Sequence, residues 1–152
     1  MRILLIGHGR MGKLVEQLAR EHGCEVAAIA EVDRPVAAAL EQAGAVDVAI
    51  DFSQPAAVAG NLSVLAARGV SVVIGTTGWQ DREREMREVA GQAGIAVLAA
   101  ANFSLGMHVF AVVVEEAARE FGTRRNVGAW IHESHHSAKL DAPSGTALML
   151  QR

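Results

Sequence analysis

At 152 residues, with half of them apolar and a fifth charged, the chain is long enough for an ordinary globular domain with its own core. A net charge of −3 gives no basic footprint for nucleic acid and no polybasic membrane patch. A lone cysteine, Cys24, excludes a disulfide framework and a cysteine-based zinc site.

The opening run Ile3–Ile6 is short, apolar and followed by glycines, as expected of a strand buried on both faces of a parallel sheet. It is too short for the apolar core of a secretory leader, and Val109–Val114 is far short of the roughly 20 residues a spanning helix needs. A cytoplasmic protein with no membrane partner is the expectation. Met11, Leu14, Val15, Leu18 and Ala19 then share one helical face, which Gly23 ends.

The alternation continues. Val26–Ala30 predicts a second strand and Val36–Ala43 a short Ala-rich helix. Val46–Ile50 predicts a third strand, ending at Asp51. Residues 55–68 predict a helix with Pro55 near its start and Gly69 after its end. Val70–Ile74, a charged helix over 81–93, a strand over Ile95–Leu98 and a longer helix over Leu105–Phe121 follow. This pattern predicts an α/β fold: a Rossmann-like, doubly wound parallel sheet.

After a turn at Gly122–Asn126, Val127–Ile131 predicts one more strand, and residues 144–152 the start of a helix. One strand and one helix start cannot bury a core. The expected organisation is a dinucleotide-binding domain over residues 1–124 and, over 125–152, the incomplete start of an α+β substrate-binding and oligomerisation domain. The chain would then be a fragment or a truncated gene product.

Gly7-His8-Gly9-Arg10-Met11-Gly12 fits G-x-G-x-x-G at the junction of the first strand and its helix. The first glycine allows a tight turn, the second admits a pyrophosphate, and the third lets helix and strand pack closely. The helix N-terminus adds partial positive charge. Glu31 ends the second strand, where an acid accepts hydrogen bonds from the ribose hydroxyls of NADH. Asp33 is a weaker candidate for that role. Arg34 suits the 2′-phosphate of NADPH instead, so NADH and NADPH both stay open.

Three of the six histidines lie within residues 132–136, and Lys139 is one of two lysines against twelve arginines. Proton donors therefore stand just before Pro143-Ser144-Gly145-Thr146. Asp141 or Ser144 can cap the helix there, leaving the Gly145 and Thr146 amides for a carboxylate. His132-Glu133-Ser134-His135-His136 also matches the H-E-x-x-H zinc signature, which requires a regular helix. The preceding segment reads as a strand, Lys139 would repel a cation and no third ligand is evident, so no metal is expected.

Together, Gly7–Gly12, Asp51-Phe52-Ser53, Gly75-Thr76-Thr77-Gly78, Asn102-Phe103-Ser104-Leu105-Gly106 and His135–Thr146 resemble the dihydrodipicolinate reductase family of bacterial diaminopimelate and lysine biosynthesis. The last run is close to family-specific; the glycine loop is shared with many dehydrogenases. The resemblance implies NAD(P)H-dependent reduction of a small cyclic dicarboxylate, 4-hydroxy-tetrahydrodipicolinate, to tetrahydrodipicolinate.

It also implies roles for residues. Gly7, His8, Gly9, Arg10, Met11, Gly12 and Glu31 resemble the cofactor cradle. Gly75, Thr76 and Thr77, with Ala101, Asn102, Phe103 and Ser104, resemble two loops facing the nicotinamide. His135 resembles the proton donor and acceptor, Lys139 a second acid, and His136 with Ser144, Gly145 and Thr146 the contacts to the substrate's carboxylates. Members of the family run well past this length and form homotetramers, which is implied only for a full-length chain. The alternatives are a non-catalytic dinucleotide-binding module, for which paired acids have no use, and another Rossmann dehydrogenase, which leaves residues 135–146 unexplained.

Overall fold

A computed structural model describes residues 1–135, 137 and 142–151. It divides into two compact units, Met1–Ala100 and Ala101–Arg152.

The first unit is a five-stranded parallel sheet. Its strands are β1 (Arg2–Ile6), β2 (Glu25–Ala30), β3 (Val48–Asp51), β4 (Ser71–Ile74) and β5 (Val97–Ala99), in the order β2-β1-β3-β4-β5. Because β1 is an interior strand between β2 and β3, all four residues of Ile3–Ile6 are buried, which is why that segment carries no polar alternation. The helices are α1 (Arg10–Ala19), α2 (Val36–Ala43), α3 (Pro55–Ala67) and α4 (Glu83–Ala93). Alpha-helical contacts run α2 to α3 and α3 to α4, making one continuous layer, while α1 packs on β1 and β2. The doubly wound Rossmann-like α/β fold is therefore present.

The core lies under the three-helix layer. Leu4 and Ile6 from β1, Ala49 from β3, and Val72 and Ile74 from β4 meet Val36, Ala39 and Leu40 of α2, Val58, Leu62 and Leu65 of α3, and Met86 of α4. The α1 side is thinner. Of the apolar face expected there, only Ala19 is buried, and Leu14 and Leu18 stay 45% and 38% exposed. A single helix over two strands leaves its flanks to solvent.

The second unit contains α5 (Leu105–Phe121) and α6 (Gly145–Leu150), which contact each other. Two expectations differ here. The compact units divide between Ala100 and Ala101, not after residue 124, so α5 belongs with the C-terminal residues. In sequence α5 looks like the next helix of the alternation, because it follows β5 after a short loop. The strand expected over Val127–Ile131 is absent: these residues form no regular structure, and Trp130 is 83% exposed. A strand exists only through hydrogen bonds to a neighbour, and the described elements of this unit are helices.

Leu62, 1% exposed, sits at the centre of the helix layer. Leu62→Ala is expected to cost about 3 kcal/mol, from lost burial plus the cavity left behind. Urea unfolding followed by far-UV circular dichroism measures it.

Candidate functional site

At the carboxyl ends of the strands, the sheet order reverses direction between β1 and β3, the position where open α/β sheets leave a crevice. A cleft of about 530 Å³ lies there. Its floor is the glycine loop, with Ile6, Gly7, His8 and Gly9; Glu31 and Val32 after β2, Phe52 and Ser53 after β3, and residues of α2 and α3 form the walls.

Each glycine of the loop has a separate reason. Gly7 sits at φ +87°, and a Cβ on it would stand 2.5 Å from the Phe52 carbonyl oxygen. A Cβ on Gly12 would collide with the Gly7 carbonyl, so α1 could not begin so close to the loop. Gly9 is different. It has φ −74° and nothing within 4 Å of where its Cβ would be. The protein's own packing makes no demand for glycine at this position, which instead opens on the cleft.

Gly9 is also the N-cap of α1. It offers no side-chain cap, and the first helical bond is Lys13 N–H to the Gly9 carbonyl. The Arg10, Met11 and Gly12 amides thus stand at the positive end of a helix dipole with no acidic residue in the first turn. His8 turns its ring to α1, where Nε2 lies 2.7 Å from Glu16. The donor set fits a diphosphate, and Glu31 on the cleft wall fits a ribose diol.

Opposite the glycine loop, Asp51 is 1% exposed at the end of β3. Its Oδ1 accepts hydrogen bonds from Ser53 N–H (2.8 Å), Ser53 Oγ (2.6 Å) and Thr76 Oγ1 (3.0 Å), and its Oδ2 from Asn61 Nδ2 (2.9 Å). The Thr76 carbonyl in turn accepts from Trp79 Nε1 at 2.7 Å. Thr76 therefore spends its hydroxyl within the protein and is buried, whereas Thr77 beside it is exposed. At Gly75 a Cβ would enter the space of the Phe52 ring, so a side chain there would displace that ring.

Two features of this site went unread in the sequence. In sequence Asp51 is only the end of a strand and part of a resemblance, yet it ties the loops after β3 and β4 to α3. The helical wall, notably Ala57, Gly60 and Asn61, reads in sequence as an ordinary helix over residues 55–68. Gly60 was the available signal. A glycine inside a helix costs about 1 kcal/mol against alanine, and nothing stands within 4 Å of its Cβ position to require it.

In the second unit, Ala101, Asn102, Phe103 and Ser104 are exposed. Asn102 Oδ1 accepts from Ser104 N–H at 2.7 Å, and Ser104 caps α5 through Met107 N–H. Ser144 caps α6, its Oγ accepting from Ala147 N–H at 3.0 Å; of the two cap candidates, it is the one described. His136, Lys139 and Asp141 lie outside the described residues. Glu133 is the unexpected member. Its Oε1 accepts from Ser144 N–H at 2.8 Å, and its Oε2 lies 3.0 Å from His135 Nε2. Hydrogen bonds from Ser144 and then His135 hold its carboxyl down at about 2. Residues 132–135 form no helix, so the backbone that H-E-x-x-H zinc binding requires is not present there.

A Rossmann-like sheet with a glycine-loop cleft at its reversal point defines the class as an α/β protein built to hold a nucleotide. Comparison with known proteins narrows it. Residues 1–103 match the profile of the dihydrodipicolinate reductase N-terminus, and residues 106–152 that of its C-terminus. The chain belongs to the dihydrodipicolinate reductase family.

The 4-hydroxy-tetrahydrodipicolinate reductase of Christiangramia forsetii is 35% identical over 150 residues, covering 99% of this chain and 62% of the relative. That of Acinetobacter baumannii strain AYE is 47% identical over 105 residues, 68% of this chain and 37% of the relative. The chain thus spans about three fifths, or less, of the length of these relatives. The dipicolinate-bound dihydrodipicolinate reductase of Paenisporosarcina sp. TG-14 shares the fold with a TM-score of 0.70 at 21% identity, over 99% of this chain and 63% of that one. A probable dehydrogenase of Thermotoga maritima aligns with a TM-score of 0.54 at 18% identity, over 78% and 42%.

Asp51→Ala strands four donors and is expected to cost about 3 kcal/mol, with Asp51→Asn, which keeps one carbonyl acceptor, costing about 2; urea titration reads both. Glu133 has a depressed carboxyl, so its contribution is present above the ordinary carboxylate value of 4.5 and is lost as pH falls toward about 2. The protection factor of the Ser144 amide, its exchange relative to the intrinsic rate at each pH, should fall through that window, and less sharply in high salt, because Glu133 is partly exposed.

Proposed function

We propose that the chain carries the dinucleotide site and the proton-donating, carboxylate-binding residues of an NAD(P)H-dependent reductase acting on 4-hydroxy-tetrahydrodipicolinate. The observation that carries the reading is Gly9: a glycine that packing does not require, at the uncapped start of α1, beside an acid-walled cleft. In this reading the loop Gly7–Gly12 holds the diphosphate on the amides of Arg10, Met11 and Gly12. Glu31 accepts from the adenosine ribose. The helical wall at Ala57, Gly60 and Asn61 bounds the nucleoside.

Between the two dinucleotides, NADH fits better. Arg34, the residue that would meet a 2′-phosphate, gives its Nη1 to Gln42 Oε1 of α2 at 2.8 Å, while Glu31 lines the cleft. A carboxylate there suits a diol and repels a phosphate.

Hydride donation is the chemistry the nicotinamide supplies when bound. The chain supplies protons and countercharge. In the net reaction a hydride and a proton are consumed while the 4-hydroxyl leaves as water, and we assign that proton to His135 with Lys139 as second acid. Acid–base assistance of this kind is typically worth about 10²- to 10⁴-fold. His136 and the Ser144-Gly145-Thr146 turn take the carboxylates: Ser144 Oγ holds Ala147 N–H and Glu133 holds Ser144 N–H, which leaves the amides of Gly145 and Thr146 for an acceptor. Gly75, Thr77 and Ala101–Ser104 are assigned to the nicotinamide end.

Gly9→Ala separates binding from folding. Its Cβ position is empty, so the only expected cost is that of alanine against glycine at an N-cap, about 1 kcal/mol, which leaves the chain folded. NADH affinity should fall at least roughly tenfold, or about 1.4 kcal/mol. Calorimetric titration of both proteins with NADH and NADPH checks it. Equal affinities in the two proteins would remove the cofactor assignment, and tighter binding of NADPH by the parent chain would reverse the preference.

A further inference from the structure

The histidine-rich segment contains one charged residue that the proposed chemistry does not use. Glu133 belongs to the sequence that superficially spells a zinc site, and in the structure it does something else. Its carboxylate is a bridge: Oε1 takes the backbone N–H of Ser144, eleven residues on, and Oε2 faces His135 Nε2 at 3.0 Å.

We propose that Glu133 is the positioning residue of His135, fixing the imidazole with its proton on Nε2 and leaving Nδ1 as the nitrogen that exchanges a proton with the reacting molecule. The inference rests on the reading of His135 as the proton donor and goes on to name the atom.

An ionised carboxylate can only accept. Glu133 stays ionised because the bonds from Ser144 and His135 hold its carboxyl at about 2. A 3.0 Å contact between that oxygen and Nε2 is therefore a hydrogen bond only when Nε2 carries the hydrogen. In the neutral ring Nδ1 is then bare, and in the cationic ring Nδ1–H is the proton free to leave.

The carboxylate cannot easily swing away. Ser144 is 6% exposed, and its own hydroxyl is committed to Ala147 N–H at the start of α6. One end of the bridge is thus anchored in the most buried polar position of the second unit's described residues. Nδ1 has no bonded partner among the described residues, and the His135 side chain is 37% exposed. A solvated histidine with no partner would instead sample both tautomers and many rotamers. The same link would make the catalytic ring's orientation depend on α6 being formed.

Long-range proton–nitrogen correlation on the ¹⁵N-labelled 152-residue chain reads the tautomer of the neutral His135 ring directly. The expected result is one form, Nε2 protonated and Nδ1 bare. In Glu133→Ala that single form should be lost to a mixture, while the backbone amide signals of residues 1–100 stay unmoved. Glu133→Gln retains a carbonyl acceptor and should keep a partial preference for Nε2–H, which guards against a variant whose second unit merely unfolds. A ring protonated on Nδ1 in the parent chain, or a tautomer ratio indifferent to Glu133→Ala, overturns the proposal. Titration with dipicolinate separates it from the functional reading. A shift confined to Nδ1 supports both, whereas a Glu133-dependent tautomer that ignores dipicolinate supports the bridge and removes the substrate assignment.

Discussion

Four donors converge on the buried carboxylate of Asp51, and the loops at the carboxyl ends of β3 and β4 take their shape from it. The carboxylate comes from a strand, two donors from the loop after it, one from α3 and one from the loop after β4. A buried charge is tolerable only when every lone pair is used. This requirement is what makes the assembly specific: shifting Ser53, Asn61 or Thr76 leaves a charged acceptor short. The backbone at Phe52–Ser53, held by that network, is also the surface against which Gly7 must lack a side chain. Loop conformation at the cleft is thus set from beneath, by electrostatics, and from above, by steric exclusion.

The second unit is organised by weaker means. Asn102, Ser104, Ser144 and Glu133 each satisfy backbone amides at helix starts, as the first turns of helices require. These are local bonds, most of them between residues a few positions apart. Its apolar residues contribute little, because few of them are covered. His135 and Ser144, the described residues among those proposed to carry the chemistry, therefore stand on hydrogen-bonded loops, while the proposed dinucleotide cleft stands on a packed sheet.

Most of the first unit was legible in the sequence because its signals are local and redundant. Strand and helix periods, glycine stops and Pro55 at a helix start all agree with the sheet that forms. Strand starts were the weaker part: Val46 and Ile95 are apolar but belong to the turns leading into β3 and β5. Gly7, His8 and Gly9 line one cleft together with Glu31, residues that the spacing of the glycine motif already picks out in the sequence. Asp51 was not legible as a network centre, because its partners lie 2, 10 and 25 residues away and are ordinary polar residues. Nor was the role of Glu133. Its partner Ser144 is eleven residues off, and the surrounding letters advertised a different chemistry. The strand expected at Val127–Ile131 failed for the converse reason: composition favours extension, but a ladder needs a second strand.

The exposure of α5 bears on how this chain comes apart. Not one of its seventeen residues is buried, and Val109, Phe110, Val112 and Val113 are each at least half exposed. A helix so placed is held by its own backbone bonds, one serine cap, the Arg119 pairs with Glu115 and Glu116 and a small contact with α6, a marginal arrangement in water even at this length. It should open in local fluctuations far more often than the sheet does. The molecule then has no single melting point in the thermodynamic sense: a helical signal would decline across a broad range while the buried β1 signal persists, and an enthalpy fitted to one all-or-none transition would describe neither part.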